Sequence, residues 1–385
     1  MHNGTLIVGI HLGKQMLRLL FRGGLANVLF LTMLAVLAPS AAQAQNPDEV
    51  DALLRQVEQL YGEGKYVEAL PLAQQSLAAA ETKLGVQDPK VGDVLNMLGL
   101  LYWNLGQYVE AEPAYRRAIA IGESTPDRDS WVTGARLNNL AILLAGLARY
   151  DEATETYRRT LAIAEAAFGS DHPNVAKTLT NLAVVHWKQG RYGEAEAVCK
   201  RALGIREKSL GPTHPDVAHS SHLLALLYTT QGRYSDAEPL EKRAIAIDEA
   251  ATGPDHPNMI SRLNTLADIY RLGGRYSEAE PLYKRALAVA EKAKTDQLIR
   301  GTLNNLAWLY RAQGRLNDAE PLLRRTIAIA ERTLGANHPD LITHLHNLAE
   351  VLREKGAVAD AEALLVRALK IGEGTGGEIR TSQRH

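Results

Sequence analysis

A phrase of the form Gly-Arg-Tyr recurs along the chain at a nearly fixed interval, and it constrains the fold more than any other feature. It occurs eight times, with starts 42 residues apart except for one step of 40. The eight starts are Gly64, Gly106, Ala148, Gly190, Gly232, Gly274, Gly314 and Gly356. A period of this length is typical of stacked supersecondary units, none of which can bury its apolar face alone. The sequence therefore predicts a repeat protein that works through an extended surface.

Each repeat predicts a pair of helices. In the first helix apolar residues recur at helical spacing, as in Leu303, Leu306 and Tyr310. The glycine of the phrase favours the left-handed conformation that ends a helix. The second helix is expected to begin with a capping box, such as Ser277 followed three residues later by Glu280. The second helices are predicted to start near residues 66, 108, 150, 192, 234, 276, 316 and 358.

The charge pattern argues against nucleic-acid binding. Six of the eight second helices carry glutamate four residues before a basic residue, as in Glu280 and Lys284, an orientation that favours ion pairs on a solvated face. Basic pairs such as Arg324-Arg325 are interleaved with glutamate, and the formal net charge is −1. A nucleic-acid partner is therefore not expected.

Four Gly-x-x-His-Pro segments join the repeats, and their histidines invite a metal hypothesis. The histidines are His172, His214, His256 and His338. Stacked helices lie about 8–10 Å apart, whereas zinc needs several ligands at roughly 2 Å from one ion. We expect each histidine to start a helix beside its proline instead, and we expect no metal or other cofactor. Two junctions lack the motif, around Pro126 and around Asp296.

Residues 1–44 have the pattern of a signal peptide. Three basic residues precede an apolar stretch from Leu25 to Ala38, and Ala42-Gln43-Ala44 fits a cleavage site. The apolar run is shorter than the roughly 20 residues of a membrane-spanning helix, although a retained anchor is the alternative. Translation could start at Met1 or at Met16. We expect an exported bacterial protein, periplasmic or secreted, with no stable membrane span after cleavage.

Catalytic signatures are missing from the sequence after residue 44. We find no nucleophile elbow, H-E-x-x-H, P-loop or dinucleotide fingerprint there. Cys199 is the single cysteine, so an internal disulfide is impossible, and we expect it to be a small packed side chain. No catalytic residue is assigned, and an enzyme is the less favoured class.

The repeat resembles the tetratricopeptide repeat (TPR), in the 42-residue form typified by kinesin light chains. The segments that carry the resemblance are Leu-Asn-Asn-Leu-Ala, Gly-Arg-Tyr-x-Glu-Ala-Glu and Arg-Ala-Leu-Ala-Ile, and it covers about 46–373. The resemblance implies an all-α, right-handed superhelical solenoid of about eight antiparallel helix pairs. The domains would be a signal peptide (1–44), the solenoid (45–373) and a flexible C-terminal tail (374–385).

The same resemblance implies that first helices line a concave groove that binds a peptide. The groove residues that we expect to bind a ligand are Asn96, Trp103, Asn139, Asn181, Trp187, Asn264, Arg271, Asn304, Asn305, Trp308, Arg311, Asn347 and Arg353. Asparagine is a mediocre helix former, so its recurrence in mid-helix needs a reason. The amides could pair with a ligand backbone, or they could satisfy a neighbouring repeat. The inward arginines suggest an acidic segment as ligand.

The function predicted from the sequence is a non-catalytic scaffold that binds an extended peptide or partner segment in the groove. Tryptophan and arginine are frequent anchors at protein interfaces, and Trp308 lies one turn from Arg311. The alternative is a regulatory or assembly subunit that self-associates, as a homo-oligomer, or docks a partner through its terminal repeats. The last helix keeps Leu364, Leu365 and Leu369, and an uncapped solenoid end exposes core surface.

Overall fold

The structure is a computed structural model that describes residues 49–124 and 130–382, without the side chains of 374–382. The signal-peptide segment (1–44) and the junction at Pro126 lie outside the described residues. Within the described ranges no helix is both long enough and apolar enough to cross a membrane.

All regular structure in the described residues is helical, and successive helices form pairs. The sixteen helices there are α1 (Glu49–Gly62), α2 (Tyr66–Leu84), α3 (Pro89–Asn104), α4 (Tyr108–Glu123), α5 (Ser130–Gly146), α6 (Tyr150–Phe168), α7 (Pro173–Lys188), α8 (Tyr192–Leu210), α9 (Pro215–Thr230), α10 (Tyr234–Thr252), α11 (Asn258–Leu272), α12 (Tyr276–Lys292), α13 (Asp296–Ala312), α14 (Leu316–Leu334), α15 (Asp340–Glu354) and α16 (Val358–Ser382). The predicted all-α fold of repeated helix pairs is confirmed. The odd-numbered helices are the first helices of their repeats, and the even-numbered ones are the second helices.

The chain divides into two compact units, residues 1–198 and 199–385, with the division inside α8. In the first unit α1 packs on α2, α3 on α4 and α5 on α6, and each of these second helices also packs on the following first helix. In the second unit the pairs are α9 with α10, α11 with α12, α13 with α14 and α15 with α16. Leucine, alanine, isoleucine and valine make up most of the cores, together with a few large tyrosines. Tyr157 in the first unit and Tyr283 in the second are fully buried.

The turn within each pair uses the left-handed conformation that the glycines predict. Gly190 has a φ of 73°, and its amide donates to the Trp187 carbonyl at 3.0 Å. The third repeat has Ala148 at this place, and its φ of 60° lies in the same left-handed region. An L-residue is disfavoured in this region because its Cβ approaches the following carbonyl oxygen. Ala148 therefore carries a local cost that the glycines avoid.

The predicted capping boxes are wrong. The helix α12 begins at Tyr276, so Ser277 already lies inside the helix, and no side chain caps its first turn. Glu280 is instead an ionic bridge between repeats. It pairs with Lys284 at 2.8 Å on its own helix and with Arg315 of the following turn at 2.8 Å.

Glu238 occupies the same place one repeat earlier and is held by three groups. Lys242 Nζ lies at 2.6 Å, Arg275 Nη1 at 2.5 Å and the Tyr270 hydroxyl at 3.1 Å from its carboxylate oxygens. Burial alone would raise the pKa of Glu238, but these hydrogen bonds outweigh it and lower the pKa to about 2. The glutamates of the second helices thus tie one repeat to the next.

The histidines of the Gly-x-x-His-Pro segments start helices, as predicted. His172 Nδ1 accepts a hydrogen bond from the Asn174 amide at 3.2 Å, and His214 Nδ1 accepts one from Asp216 at 3.1 Å. His256 and His338 accept equivalent bonds. These nitrogens replace the side-chain oxygen of an ordinary N-cap. Among the residues described, no three His, Cys, Asp or Glu side chains are grouped as metal ligands.

Two further expectations can be compared with the structure. Cys199 is buried, as expected for a small packed side chain. The last helix runs to Ser382, nine residues past the end that the repeat pattern predicts at 373.

Candidate functional site

The predicted groove residues lie on the first helices, but they differ in exposure. Asn96, Asn139, Asn181 and Asn304 are buried, and Arg353 is exposed. The remaining predicted residues are partly buried: Trp103, Trp187, Asn264, Arg271, Asn305, Trp308, Arg311 and Asn347. We call the accessible side of the first helices within each unit the first-helix face.

In the first unit the asparagines bind one another across neighbouring repeats. Asn139 Nδ2 donates to Asn96 Oδ1 at 3.0 Å, and Asn181 Nδ2 donates to Asn138 Oδ1 at 3.0 Å. These buried side chains satisfy part of each other's hydrogen-bonding capacity, as buried amides usually must. Of the two roles that the sequence leaves open, these four amides have the structural one.

In the second unit the same amide pairing occurs once and is then interrupted. Asn347 Nδ2 donates to Asn304 Oδ1 at 2.7 Å. One repeat earlier, Asn264 Nδ2 donates to Thr302 Oγ1 at 2.9 Å instead. The step of 40 residues falls between these two repeats, so Asn305 follows Asn264 by 41 positions rather than 43. The Asn305 side chain makes no hydrogen bond to another described residue, and it is partly exposed.

A simple spacing rule connects these contacts. In the three asparagine–asparagine pairs the donor lies 43 residues after its acceptor, which is one period of 42 plus one residue. The same spacing joins Asn104 to Tyr61 at 3.1 Å. Polar residues 43 positions apart in the sequence therefore indicate contacts between neighbouring first helices.

The three tryptophans among the predicted groove residues have different neighbours. The Trp103 ring lies 5.1 Å from the Tyr108 ring, and it also packs so closely on Gly146 that an added Cβ there would lie 2.6 Å from it. Neighbouring elements therefore hold Trp103. Trp308 instead carries the Arg311 guanidinium over its ring at 4.8 Å from the ring centroid, a cation–π contact. The Lys188 ammonium lies 5.9 Å from the centroid of the Trp187 ring.

Arg271 is not available to a ligand in this structure. Its guanidinium pairs with Asp268 at 2.9 Å, and its Nε donates to the Tyr283 hydroxyl at 3.2 Å. The Tyr283 hydroxyl in turn donates to Asp268 at 2.6 Å. Burial alone would lower the pKa of Arg271, but Tyr283 and Asp268 raise it overall. The trio is a buried ionic network of α11 and α12.

Arg311 and Arg353 share a cluster with two glutamates of α15. Arg311 Nη2 lies 2.5 Å from Glu354 Oε1 and 3.2 Å from Glu350 Oε2. Arg353 also pairs with Glu350, at 3.0 Å. The hydrogen bond from Arg353 lowers the pKa of Glu350 despite its partial burial. Two cations and two anions make this cluster neutral, a balance that the sequence analysis missed and that the 43-residue spacing of Arg311 and Glu354 could have indicated.

The second unit also contains a buried acid–histidine pair that the repeat pattern does not indicate. Glu241 is fully buried, and its two oxygens lie 2.8 and 3.0 Å from His222 Nδ1. Other repeats place Tyr157 or Tyr283 where Glu241 stands. Burial lowers the pKa of His222 although Glu241 acts against it. His222 occupies the repeat position that Asn138 and Asn264 occupy elsewhere. The pair therefore replaces the hydrogen bonds that these asparagine amides make in other repeats.

Comparison with known proteins defines the class. A profile of the tetratricopeptide repeat matches residues 48–124, 135–198, 178–250, 246–292 and 298–373. The chain belongs to the tetratricopeptide repeat family. None of the curated proteins matches it.

Several solved structures are similar to this chain. TPR-like repeats from Podosopora anserina, described as kinesin light chain repeats, are 27% identical, with a TM-score of 0.48 over 53% of this chain and 98% of theirs. Aspartyl phosphate phosphatase F from Bacillus subtilis is 14% identical, with a TM-score of 0.58 over 96% and 95% of the two chains. A Rap protein in complex with Competence and Sporulation Factor is 16% identical, with a TM-score of 0.54 over 96% and 98%.

Proposed function

We propose that the chain is a non-catalytic scaffold that binds an extended peptide or partner segment on the first-helix face, centred on Asn305, Trp308 and Arg311. These residues follow one another at intervals of three along α13. The observation that carries the proposal is the amide of Asn305. Asn139, Asn181 and Asn347, at the equivalent position, each donate to an asparagine of the neighbouring repeat, whereas the Asn305 side chain is partly exposed and makes no such bond.

The chemistry of this patch suits a peptide. An asparagine amide offers donors and an acceptor, as does a peptide backbone. Trp308 adds an apolar surface and Arg311 a cation, and both residue types are frequent hot spots at interfaces. An acidic ligand side chain would replace Glu354 or Glu350 at the Arg311 guanidinium, so that the cluster exchanges one carboxylate for another.

The family supports the proposal at the level of the class. Repeats of this kind present extended surfaces rather than enclosed pockets. A protein of the same fold, the Rap protein, forms a complex with Competence and Sporulation Factor. That likeness concerns the fold, and the location of the ligand on this chain rests on its own residues.

Selection of peptides on the purified chain tests the proposal. A peptide-display library is enriched on the wild type, and selected peptides are measured against a triple variant, Asn305→Ala with Trp308→Ala and Arg311→Ala. Removing anchor side chains should weaken binding at least about tenfold, with no loss of helicity by circular dichroism. Arg325→Ala is the matched control, because Arg325 is a surface arginine of a second helix, paired with Glu291 at 2.6 Å. Equal loss in the control, or equal affinity of the triple variant, would refute the placement.

We also propose that residues 1–44 direct a bacterial protein to the periplasm or the exterior. The basic residues, the apolar stretch and the Ala42-Gln43-Ala44 site support this location. Amino-terminal sequencing of the protein from a bacterial envelope fraction should begin at Gln45. A protein that keeps its first 44 residues would contradict cleavage.

A second candidate function is association through the last repeat. The Leu369 side chain on α16 is 67% exposed, which favours docking at this end.

A further inference from the structure

The outer face of the last helix exposes residues that are core elsewhere. Leu365 and Leu369 are 36% and 67% exposed. Their equivalents 42 positions earlier, Leu323 and Ile327, are 2% and 8% exposed because α15 packs over α14. Among the described residues no first helix covers α16 in the same way. Large apolar side chains grouped on an exposed face indicate an interaction surface.

Val366 enlarges this surface beyond what the repeat requires. It is 43% exposed. At its position six of the seven preceding second helices carry a cation, and the seven residues are Gln74, Arg116, Arg158, Lys200, Lys242, Lys284 and Arg324. An exposed valine in place of a cation adds apolar area and contributes nothing to the core.

The same replacement leaves Glu362 without its usual partners. The equivalent Glu320 pairs with Arg324 four residues later at 2.8 Å and with Lys355 of the next turn at 2.6 Å. Glu362 has Val366 four residues later, and no ion pair joins it to a described residue. Lys370, two turns further along the exposed side of α16, is equally without one. A surface that packs here should therefore present a cation opposite Glu362 and an anion opposite Lys370.

The first helix of the chain's first repeat does not present a matching apolar surface. Its exposed residues Gln56 and Gln59 stand where α3 has Leu98 and Leu101, which are buried against the preceding second helix. A polar outer face of this kind is typical of a capping repeat. Head-to-tail stacking of copies would thus bury Gln56 and Gln59 of one copy against the leucines of α16 in the next. A contact between the α16 helices of two copies avoids this and is favoured.

We propose that two copies of this chain pair through antiparallel α16 helices, with a two-fold axis near Val366. In a two-fold contact, if residue i touches residue j, then j also touches i. An axis at position 366 places Glu362 of one copy opposite Lys370 of the other, twice per dimer. It also brings Leu365, Val366 and Leu369 of both copies together. This specifies the second candidate function and shares no residue with the Asn305 patch, so failure of one proposal leaves the other intact.

Sedimentation equilibrium of the full chain over a range of concentrations tests the dimer, with Val366→Arg as the main variant. The arginine restores the glutamate-to-cation spacing of the other second helices, so circular dichroism should show unchanged or higher thermal stability. It also places two cations at the two-fold axis. We expect a concentration-dependent dimer for the wild type and a dissociation constant at least about tenfold higher for Val366→Arg.

Charge exchange tests the register of the two helices. Glu362→Lys and Lys370→Glu should each weaken the dimer about tenfold, because each creates two like-charge contacts. The double variant should return to within about threefold of the wild type, because the opposite charges face each other again. Failure of this restoration would overturn the antiparallel register.

A matched control separates this face from any other exposed valine. Val109 on α4 is 84% exposed, and Val109→Arg should leave the dimer unchanged. A wild type that stays monomeric, or a dimer that survives Val366→Arg, would overturn the proposal. Stronger weakening by Val109→Arg than by Val366→Arg would move the contact to α4 and overturn it as well.

Discussion

Replacing Asn139 by alanine should destabilise the first unit, because its amide is part of the structure. The substitution removes the donor to Asn96 Oδ1, which is 3.0 Å away on a side chain only 6% exposed. Leaving a buried acceptor without its donor costs about 1–3 kcal/mol. Alanine returns roughly 0.5 kcal/mol through its higher helix propensity. The net loss of unfolding free energy should therefore be about 0.5–2.5 kcal/mol.

The matched substitution is Asn305→Ala, which removes an amide from a first helix of the second unit. The Asn305 side chain makes no hydrogen bond to a described residue, so the unfolding free energy of this variant should differ from that of the wild type by no more than about 0.5 kcal/mol. Urea unfolding followed by circular dichroism compares the two variants. A double-mutant cycle of Asn139→Ala with Asn96→Ala should show a coupling of at least about 0.5 kcal/mol, because the two amides are in contact.

Equal effects of Asn139→Ala and Asn305→Ala on stability would contradict a structural role for the Asn139 amide. Weaker binding of a selected peptide by Asn139→Ala, with stability unchanged, would contradict it too, because the buried amides would then serve the ligand.

Three further predictions concern single residues. Ala148→Gly should raise the unfolding free energy by about 0.5–1 kcal/mol, because glycine adopts the left-handed conformation without the steric cost that alanine has there, less some entropic cost. Gly190→Ala should lower the unfolding free energy by about as much. Urea unfolding measures both. The ionised Glu238 carboxylate should stabilise the fold above about pH 4.5, and this stabilisation should be lost as the pH falls towards 2. The reason is that the pKa of Glu238 is about 2 in the folded chain and higher in the unfolded chain. Thermal melts between pH 6 and 2 should show that Glu238→Gln removes this part of the acid sensitivity. Glu241→Ala should cost about 1–3 kcal/mol by leaving the buried His222 ring without its hydrogen-bond partner. The double variant His222→Asn with Glu241→Tyr should cost less, as thermal melts of both variants would show.

The sequence predicts the helix pairs well because the information is repeated. The same apolar spacing and the same turn glycine occur in nearly every unit, so a weak local signal becomes a strong one. The predictions that were wrong concern where a residue lies relative to the start of its helix. Ser277 and Glu280 have the spacing of a capping box, but the helix starts at Tyr276, and Glu280 forms ion pairs between repeats. Local spacing alone did not distinguish a cap from an inter-repeat bridge.

The candidate site was harder to predict because its chemistry depends on the neighbouring repeat. Asn139 and Asn305 look equivalent in the sequence, yet one amide is bonded and the other is not. The difference lies in the preceding repeat, where the Asn264 amide donates to Thr302, whereas Asn96 accepts the hydrogen bond from Asn139. Likewise Arg271 looks like a ligand-binding cation until Asp268 and Tyr283 are placed beside it.

Site-specific photocrosslinking tests the central claim most directly. A photoreactive amino acid is placed either at Ala312, an exposed residue one turn beyond Trp308, or at Arg324, an exposed residue of the second helix α14. Each protein is irradiated with a peptide selected on the wild type. The proposed first-helix face predicts crosslinking from position 312 and none above background from position 324. Crosslinking from position 324 with none from position 312 would place the ligand on the second helices and contradict the account.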